Sequence, residues 1–190
     1  YTFRRIENNK IKLDALKEAL KSSKPKAKTS VLSLLGKSPD SESLALIRST
    51  LKSENPVQIA AINALAKWPN QEPALDLFEI ASDKINPNKN SALDAYISIA
   101  SKAKNPTKAY QKAILLDESK NNLKRILAGM GQFGGIDAIE IIEPYLKDET
   151  ARDEAALALT NIARRIKSTN GATAINIIKN ILNSEATNSA

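Results

Sequence analysis

The feature that most constrains this chain is that it repeats itself. Laying Ser38-Pro39-Asp40 over Trp68-Pro69-Asn70 brings Val31, Leu34 and Leu35 onto Ala61, Ala64 and Leu65, a shift of 30 residues. Ala92 and Tyr96 stand 31 residues beyond Ala61 and Leu65, Leu123 and Leu127 another 31, and Ala155 and Leu159 a further 32. A period of 30 to 32 carried through five copies points to a stacked array, in which each unit buries its apolar face only against its neighbours.

The spacing inside one period says what that unit is. Val57, Ala60, Ala61, Ala64, Leu65 and Trp68 step by 3, 1, 3, 1 and 3, which is one face of a helix. Ala74, Leu77, Phe78 and Ala81 form the face of a second helix beyond the turn Trp-Pro-Asn-Gln-Glu-Pro, whose prolines stop one helix and permit the next. No apolar run alternates cleanly, so the chain is expected to be all-α. The pattern predicts eleven helices: Ile6 to Lys21, Pro25 to Gly36, Asp40 to Ser53, Pro56 to Lys67, Gln71 to Asp83, Pro87 to Lys102, Pro106 to Leu116, Glu118 to Gly131, Gly135 to Lys147, Glu149 to Lys167 and Ala172 to Ser184. Asn55-Pro56, Asn86-Pro87 and Asn105-Pro106 each read as an Asn cap before Pro at the first helical position. No long linker interrupts the array, so residues 1–184 are expected to form one domain of about five helix pairs plus a terminal helix. Residues 185–190 lack apolar periodicity and are expected to fray.

Composition removes much enzymology. Cysteine and histidine are both absent, which excludes disulfides, thiolate nucleophiles, Ser-His-Asp triads and His- or Cys-ligated zinc or haem within this chain. Cysteine absence does not settle the compartment. The chain opens on Tyr1 without a basic, then apolar, leader pattern, so a processed chain or an excised fragment is expected. No apolar run approaches the roughly 20 residues that span a bilayer, and no membrane insertion is expected. The net charge of +7 is unevenly placed: residues 1–40 hold 10 Lys/Arg against 4 Asp/Glu, and residues 121–160 hold 4 against 7. A lysine-rich first repeat suits a soluble solenoid cap, and an excess of this size also suits an anionic partner.

The stretch Leu51 to Leu65, LKSENPVQIAAINAL, resembles the HEAT-repeat consensus, in which a helix ends, an Asn-Pro or Asp turn follows and a small-residue helix begins. Ile141 to Leu159, IIEPYLKDETARDEAALAL, resembles it again, with Pro144, Asp148 and Arg152 near the family's Pro, Asp and Arg positions. The likeness covers nearly the whole chain, although the first repeat and Asn121 to Phe133 lack the Asp-then-Arg pair. WPNQEPALDLFEIASD, SALDAYISIAS and the segment from Leu115 to Leu159 are similar to HEAT segments of large multidomain proteins of Bacteroidetes- and Planctomycetes-type bacteria. The resemblance implies a right-handed α-α superhelix. It also implies an extracytoplasmic setting, periplasm or cell envelope, with the chemistry on a neighbouring domain.

Several residues invite a sharper reading. Gly129-Met130-Gly131-Gln132-Phe133-Gly134 matches the dinucleotide fingerprint, with Asp153 about 20 residues on. That motif must follow a strand and open a helix, whereas here it closes the Leu123, Ile126, Leu127, Met130 pattern, so its glycines are expected as caps and turn residues. The carboxylates Asp148/Glu149, Asp153/Glu154, Glu140/Glu143 and Asp76/Glu79 could form an acid-base pair or a hard-metal site. Glu149, Asp153 and Glu154 suit a helix N-terminus better, and the others a solvated face. No catalytic, cofactor or metal site is therefore assigned. Trp68 continues its helix's buried stripe and abuts Pro69, so it is expected in the core, as is Tyr96 on the stripe of Ala92, Ile99 and Ala103.

The best binding candidates are two basic pairs about one repeat apart, Lys124/Arg125 and Arg164/Arg165, on helices that line the inner surface of a curved HEAT array. They could grip an acidic protein or a phosphate backbone. The leading expectation is a non-catalytic module serving a protein partner or neighbouring domains of the same polypeptide. The alternative is sequence-independent nucleic-acid binding, as in DNA glycosylases built from HEAT-like repeats. No groove of aromatics, basic residues and a catalytic carboxylate stands behind that alternative.

Overall fold

The computed structural model describes residues 2–22 and 24–186, with side chains for residues 11–21 and 24–184. The expected fraying at 185–190 therefore lies outside the described residues, save for the backbone of 185 and 186. The described residues are all-α, with no strand: α1 (Thr2–Ser22), α2 (Pro25–Leu35), α3 (Ser41–Arg48), α4 (Val57–Leu65), α5 (Ala74–Ser82), α6 (Lys89–Ala100), α7 (Pro106–Leu116), α8 (Leu123–Phe133), α9 (Ile139–Ile142), α10 (Arg152–Ile166) and α11 (Gly171–Ala186). Two 3-10 segments, Ile136–Ala138 and Glu143–Lys147, flank α9. The chain divides into two compact units, Tyr1–Ile99 and Ala100–Ala190.

In the first unit α2 packs on α1, α3 and α4, and α3 packs on α4. Leu32, Leu35, Ile47, Ile62 and Leu65 of these helices are fully buried, as is Leu77 of α5. Trp68 lies in the turn after α4 and is 1% exposed, the core position that its stripe predicts. Tyr96 is buried too, its ring tilted against Phe78 with centroids 5.7 Å apart. Burial pushes the Tyr96 phenol above its ordinary value. The Asp40 carboxylate caps α3 by accepting from the Ser43 amide at 2.7 Å. That helix stops at Arg48, short of the predicted Ser53. Ser49 and Thr50 turn their hydroxyls back onto the carbonyls of Leu46 and Ile47, the local bonding by which such side chains compete with helix continuation.

Asn105 caps α7 as its sequence predicts, accepting from the Lys108 amide at 2.9 Å. Asn55 does not cap, whereas Asn86 accepts a cap-type bond from the amide two residues on, just ahead of α6 at Lys89. The Asn55 amide oxygen instead accepts from the Asn88 side chain at 2.6 Å, and Asn86 accepts from the Asn88 backbone. Asn88 is buried and also donates to Gln58 at 2.7 Å, while Gln58 donates to the Leu51 carbonyl. A buried amide demands partners more strongly than an exposed helix start does, and that demand redirects Asn55.

In the second unit α8 packs on α7 and on α10, and α10 packs on α11 and on the Glu143–Lys147 segment. The predicted continuous helix Gly135 to Lys147 is broken there, because Pro144 has no amide hydrogen and its ring opposes the carbonyl four residues back. Helix α10 begins at Arg152 rather than Glu149. Asp148 first closes a turn, accepting from the Thr150 amide at 3.0 Å and the Thr150 hydroxyl at 2.7 Å. Helix α8 runs on through Phe133, so Gly129 and Gly131 lie inside it and only Gly134 serves as a cap.

Candidate partner-binding surface

The four cations singled out by the sequence all belong to the second unit, and the packing of α8 on α10 decides what each does. At Gly131 the two helices approach closely: a Cβ there would lie 2.5 Å from the Cα of Ala158. Near the N-terminal ends, Lys124 Nζ stands 3.3 Å from Glu154 Oε1. At the other ends, the Arg165 guanidinium donates to the carbonyls of Gly131 and of Gly134, the latter at 2.7 Å. Start pairs with start and end with end, so α8 and α10 run parallel, as equivalent helices of successive helix pairs do.

Lys124 and Arg165 therefore act at opposite ends of this helix pair. Arg165 satisfies carbonyls at the α8 terminus that have no partner inside the helix, and places positive charge at the negative end of its dipole. Glu154 uses one carboxylate oxygen on Lys124, and its Oε2 is buried with no hydrogen-bond partner among the described residues. Arg125 lies close enough to Tyr110 that its charge favours the phenolate. Burial dominates and raises the Tyr110 value, while a Ser101 hydrogen bond and then Arg125 oppose it. Arg164 is exposed and faces away from this network, toward α11.

The carboxylates are distributed in the same manner. Asp76 receives Arg48 at 2.9 Å across 28 residues of sequence, and Asp148 receives Lys120 at 3.1 Å across 28. Asp137 accepts from the Thr107 hydroxyl at 2.9 Å across 30, and that hydroxyl in turn accepts from the Gly135 amide. The Thr150 hydroxyl and Lys120 hold the Asp148 carboxyl down to about 2. Among the described residues no three acidic side chains are grouped so as to hold a metal ion, and no helix is long and apolar enough to cross a membrane.

A different surface emerges between α10 and α11. Helix α11 carries two apolar stripes one residue apart. Ala174, Ile177 and Ile181 are buried, whereas Ile175, Ile178 and Leu182 keep 58%, 40% and 57% of their surface exposed. The second stripe borders an open groove of about 490 Å³. Residues 155–184 contain Arg164, Arg165, Lys167 and Lys179 and no Asp or Glu. Both signals stand in the sequence, but each apolar stripe taken alone looks like core, and the acid-free run falls across the boundaries of the charge blocks.

No family model and no curated protein matches the chain. Among solved structures it is similar to the crystal structure of an engineered protein, at 16% identity over 93% of this chain and 97% of the other, with a TM-score of 0.49.

Proposed function

We propose that this chain is a non-catalytic interaction or spacer module built of HEAT-type helix pairs, an accessory segment of a larger polypeptide. The observation that supports this reading is the use made of the polar side chains. Arg48 with Asp76, Asn88 with Gln58, Thr107 with Asp137, Lys120 with Asp148 and Lys124 with Glu154 all join residues 28 or 30 apart. Groups that could do acid-base or ionic chemistry are spent on holding one period against the next, the arrangement expected of a scaffold whose product is a surface. The bacterial envelope setting rests on the resemblance of its segments to secreted multidomain proteins.

Photo-crosslinking tests the reading directly. A photoreactive residue placed singly at Leu75, Leu115 or Leu157, which are 67%, 77% and 61% exposed, is expected to capture a discrete protein in the source cells. Failure at all three positions and at Ile178 refutes it. The acid-free run 155–184 gives nucleic-acid binding its one specific support. Submicromolar affinity for duplex DNA that persists at raised salt, against the roughly 10⁻⁴ to 10⁻⁶ M of non-specific binding, would favour that function instead.

A further inference from the structure

The α10–α11 groove has an apolar floor and a charged rim of one sign. Ala163, Ile175 and Ile178 line the floor, and Arg164, Lys167 and Lys179 stand around it. The three cations make no ion pair or hydrogen bond among the described residues, in contrast to Lys120, Lys124 and Arg165 of the same unit. The core does not need this surface, since Ala174, Ile177 and Ile181 already seat α11 on α10. A second apolar stripe on a surface helix costs solubility without adding to the fold, and such patches mark binding sites.

We propose that this groove binds the apolar face of an acidic amphipathic helix from another protein. The inference rests on the reading of the chain as an interaction module and supplies the chemistry of its partner. From Ile175 to Leu182 the exposed stripe runs seven residue steps, roughly 10 Å at 1.5 Å per residue, which two turns of a partner helix cover with apolar residues at i, i+3 or i+4, and i+7. Arg164 and Lys167 come from the last turns of α10 and Lys179 from the middle of α11, so cations approach from both helices that wall the groove. A partner flanking its apolar stripe with Asp or Glu on both sides gains two rows of charge contacts, while a basic partner is rejected. Nucleic acid would bring phosphates to the rim and nothing apolar to the floor.

The test uses a fluorescent helical peptide with Leu at i, i+3 and i+7 and Glu at the flanking positions, a scrambled version, and a version with Lys in place of Glu. Anisotropy titration against the full chain is expected to show saturable binding of the Glu peptide, at least about tenfold weaker binding of the scramble, and none of the Lys peptide. Two variants confine the effect to the groove. Ile178→Glu abolishes binding, and the triple variant Arg164→Glu/Lys167→Glu/Lys179→Glu exchanges preference so that the Lys peptide binds and the Glu peptide does not. All four positions are exposed, so unchanged circular-dichroism melts verify folding. Equal binding of the Glu and Lys peptides, no saturation by about 1 mM, or indifference to the triple variant overturns the proposal. So does binding to phosphatidylcholine/phosphatidylglycerol vesicles, or to duplex DNA, that the triple variant loses while the peptide stays unbound. If the peptides fail while Leu75, Leu115 or Leu157 still crosslinks to a protein, the groove is wrong and the module survives. If crosslinking fails as well, both fall.

Discussion

Replacing Gly131 by alanine sets two effects of similar size against each other, and the packing of α8 on α10 decides the sign. Alanine in a helix interior is favoured over glycine by roughly 1 kcal/mol, so an unobstructed site would gain stability. At Gly131 the new Cβ would lie 2.5 Å from Ala158 Cα, 2.7 Å from its Cβ and 3.2 Å from its carbonyl carbon. Carbon atoms in contact sit about 3.5–4.0 Å apart, so the two helices must part by roughly 1 Å, and overpacking of this kind costs about 1–3 kcal/mol. Parting them also lengthens the Arg165 bonds to the Gly131 and Gly134 carbonyls; because Arg165 is exposed, that loss counts for at most about 1 kcal/mol. The net expectation is destabilisation by about 1–3 kcal/mol, read as a lower urea midpoint by far-ultraviolet circular dichroism. Gly171→Ala is the control, since a Cβ there meets nothing within 4 Å, and it is expected to leave stability unchanged or raised by up to about 1 kcal/mol. Adding Ala158→Gly to the Gly131 variant should rescue little, because the nearest obstacle is the Cα that remains. A Gly131→Ala variant as stable as the parent, or one fully rescued by Ala158→Gly, would refute the close parallel packing.

Trp68→Ala empties a fully buried site and should cost about 3–5 kcal/mol in urea unfolding; a loss under about 1 kcal/mol would place the ring outside the core. Asn88→Ala leaves the Asn55 and Gln58 oxygens without their shared donor and should cost about 1–3 kcal/mol, whereas Asn90→Ala, an exposed neighbour, should cost less than about 0.5 kcal/mol. In a carboxyl-detected NMR titration Asp148 should stay ionised down to about pH 2, with Thr150→Ala and Lys120→Ala each moving its midpoint upward. Since folding lowers this value, its contribution to stability is complete above the ordinary 3.8 and disappears as pH falls through about 2. An Asp148 midpoint unmoved by either substitution would contradict the contacts described.

The helical period was legible because it is written by many residues at once: Val57, Ala61, Ala64, Leu65 and Trp68 all point to one face, and a single misreading cannot disturb it. Features decided by one residue pair were not. Pro144 could be read as a family position within a helix, yet its missing amide breaks the segment after α9. Asn55 and Asn105 precede proline identically, and only the buried Asn88, 33 residues away from Asn55, makes them differ. The same holds for the candidate surface. Lys124 and Arg165 look like free cations in one dimension because Glu154 and the Gly131 and Gly134 carbonyls come from an adjacent turn of the array. Arg164 keeps its charge available, and its companions Lys167 and Lys179 become visible only when α11 is laid beside α10.

The bonds that join residues 28 or 30 apart bear on how such a gene can lengthen or shorten. Each of Arg48 with Asp76, Lys120 with Asp148 and Lys124 with Glu154 needs one partner from either side of a repeat junction. Adding or removing one whole period keeps first and second helices in register, although the individual charge pair is not copied with it, since the residue 31 beyond Asp76 is Thr107 and that beyond Asp148 is Lys179. A step of half a period instead sets first helices where second helices belong and leaves buried groups such as Asn88 facing the wrong neighbour. The alternation of helices thus acts as a reading frame at the level of the fold, favouring changes of length in steps of about one helix pair, while each polar tie is particular to its own junction and must be rebuilt when that junction changes.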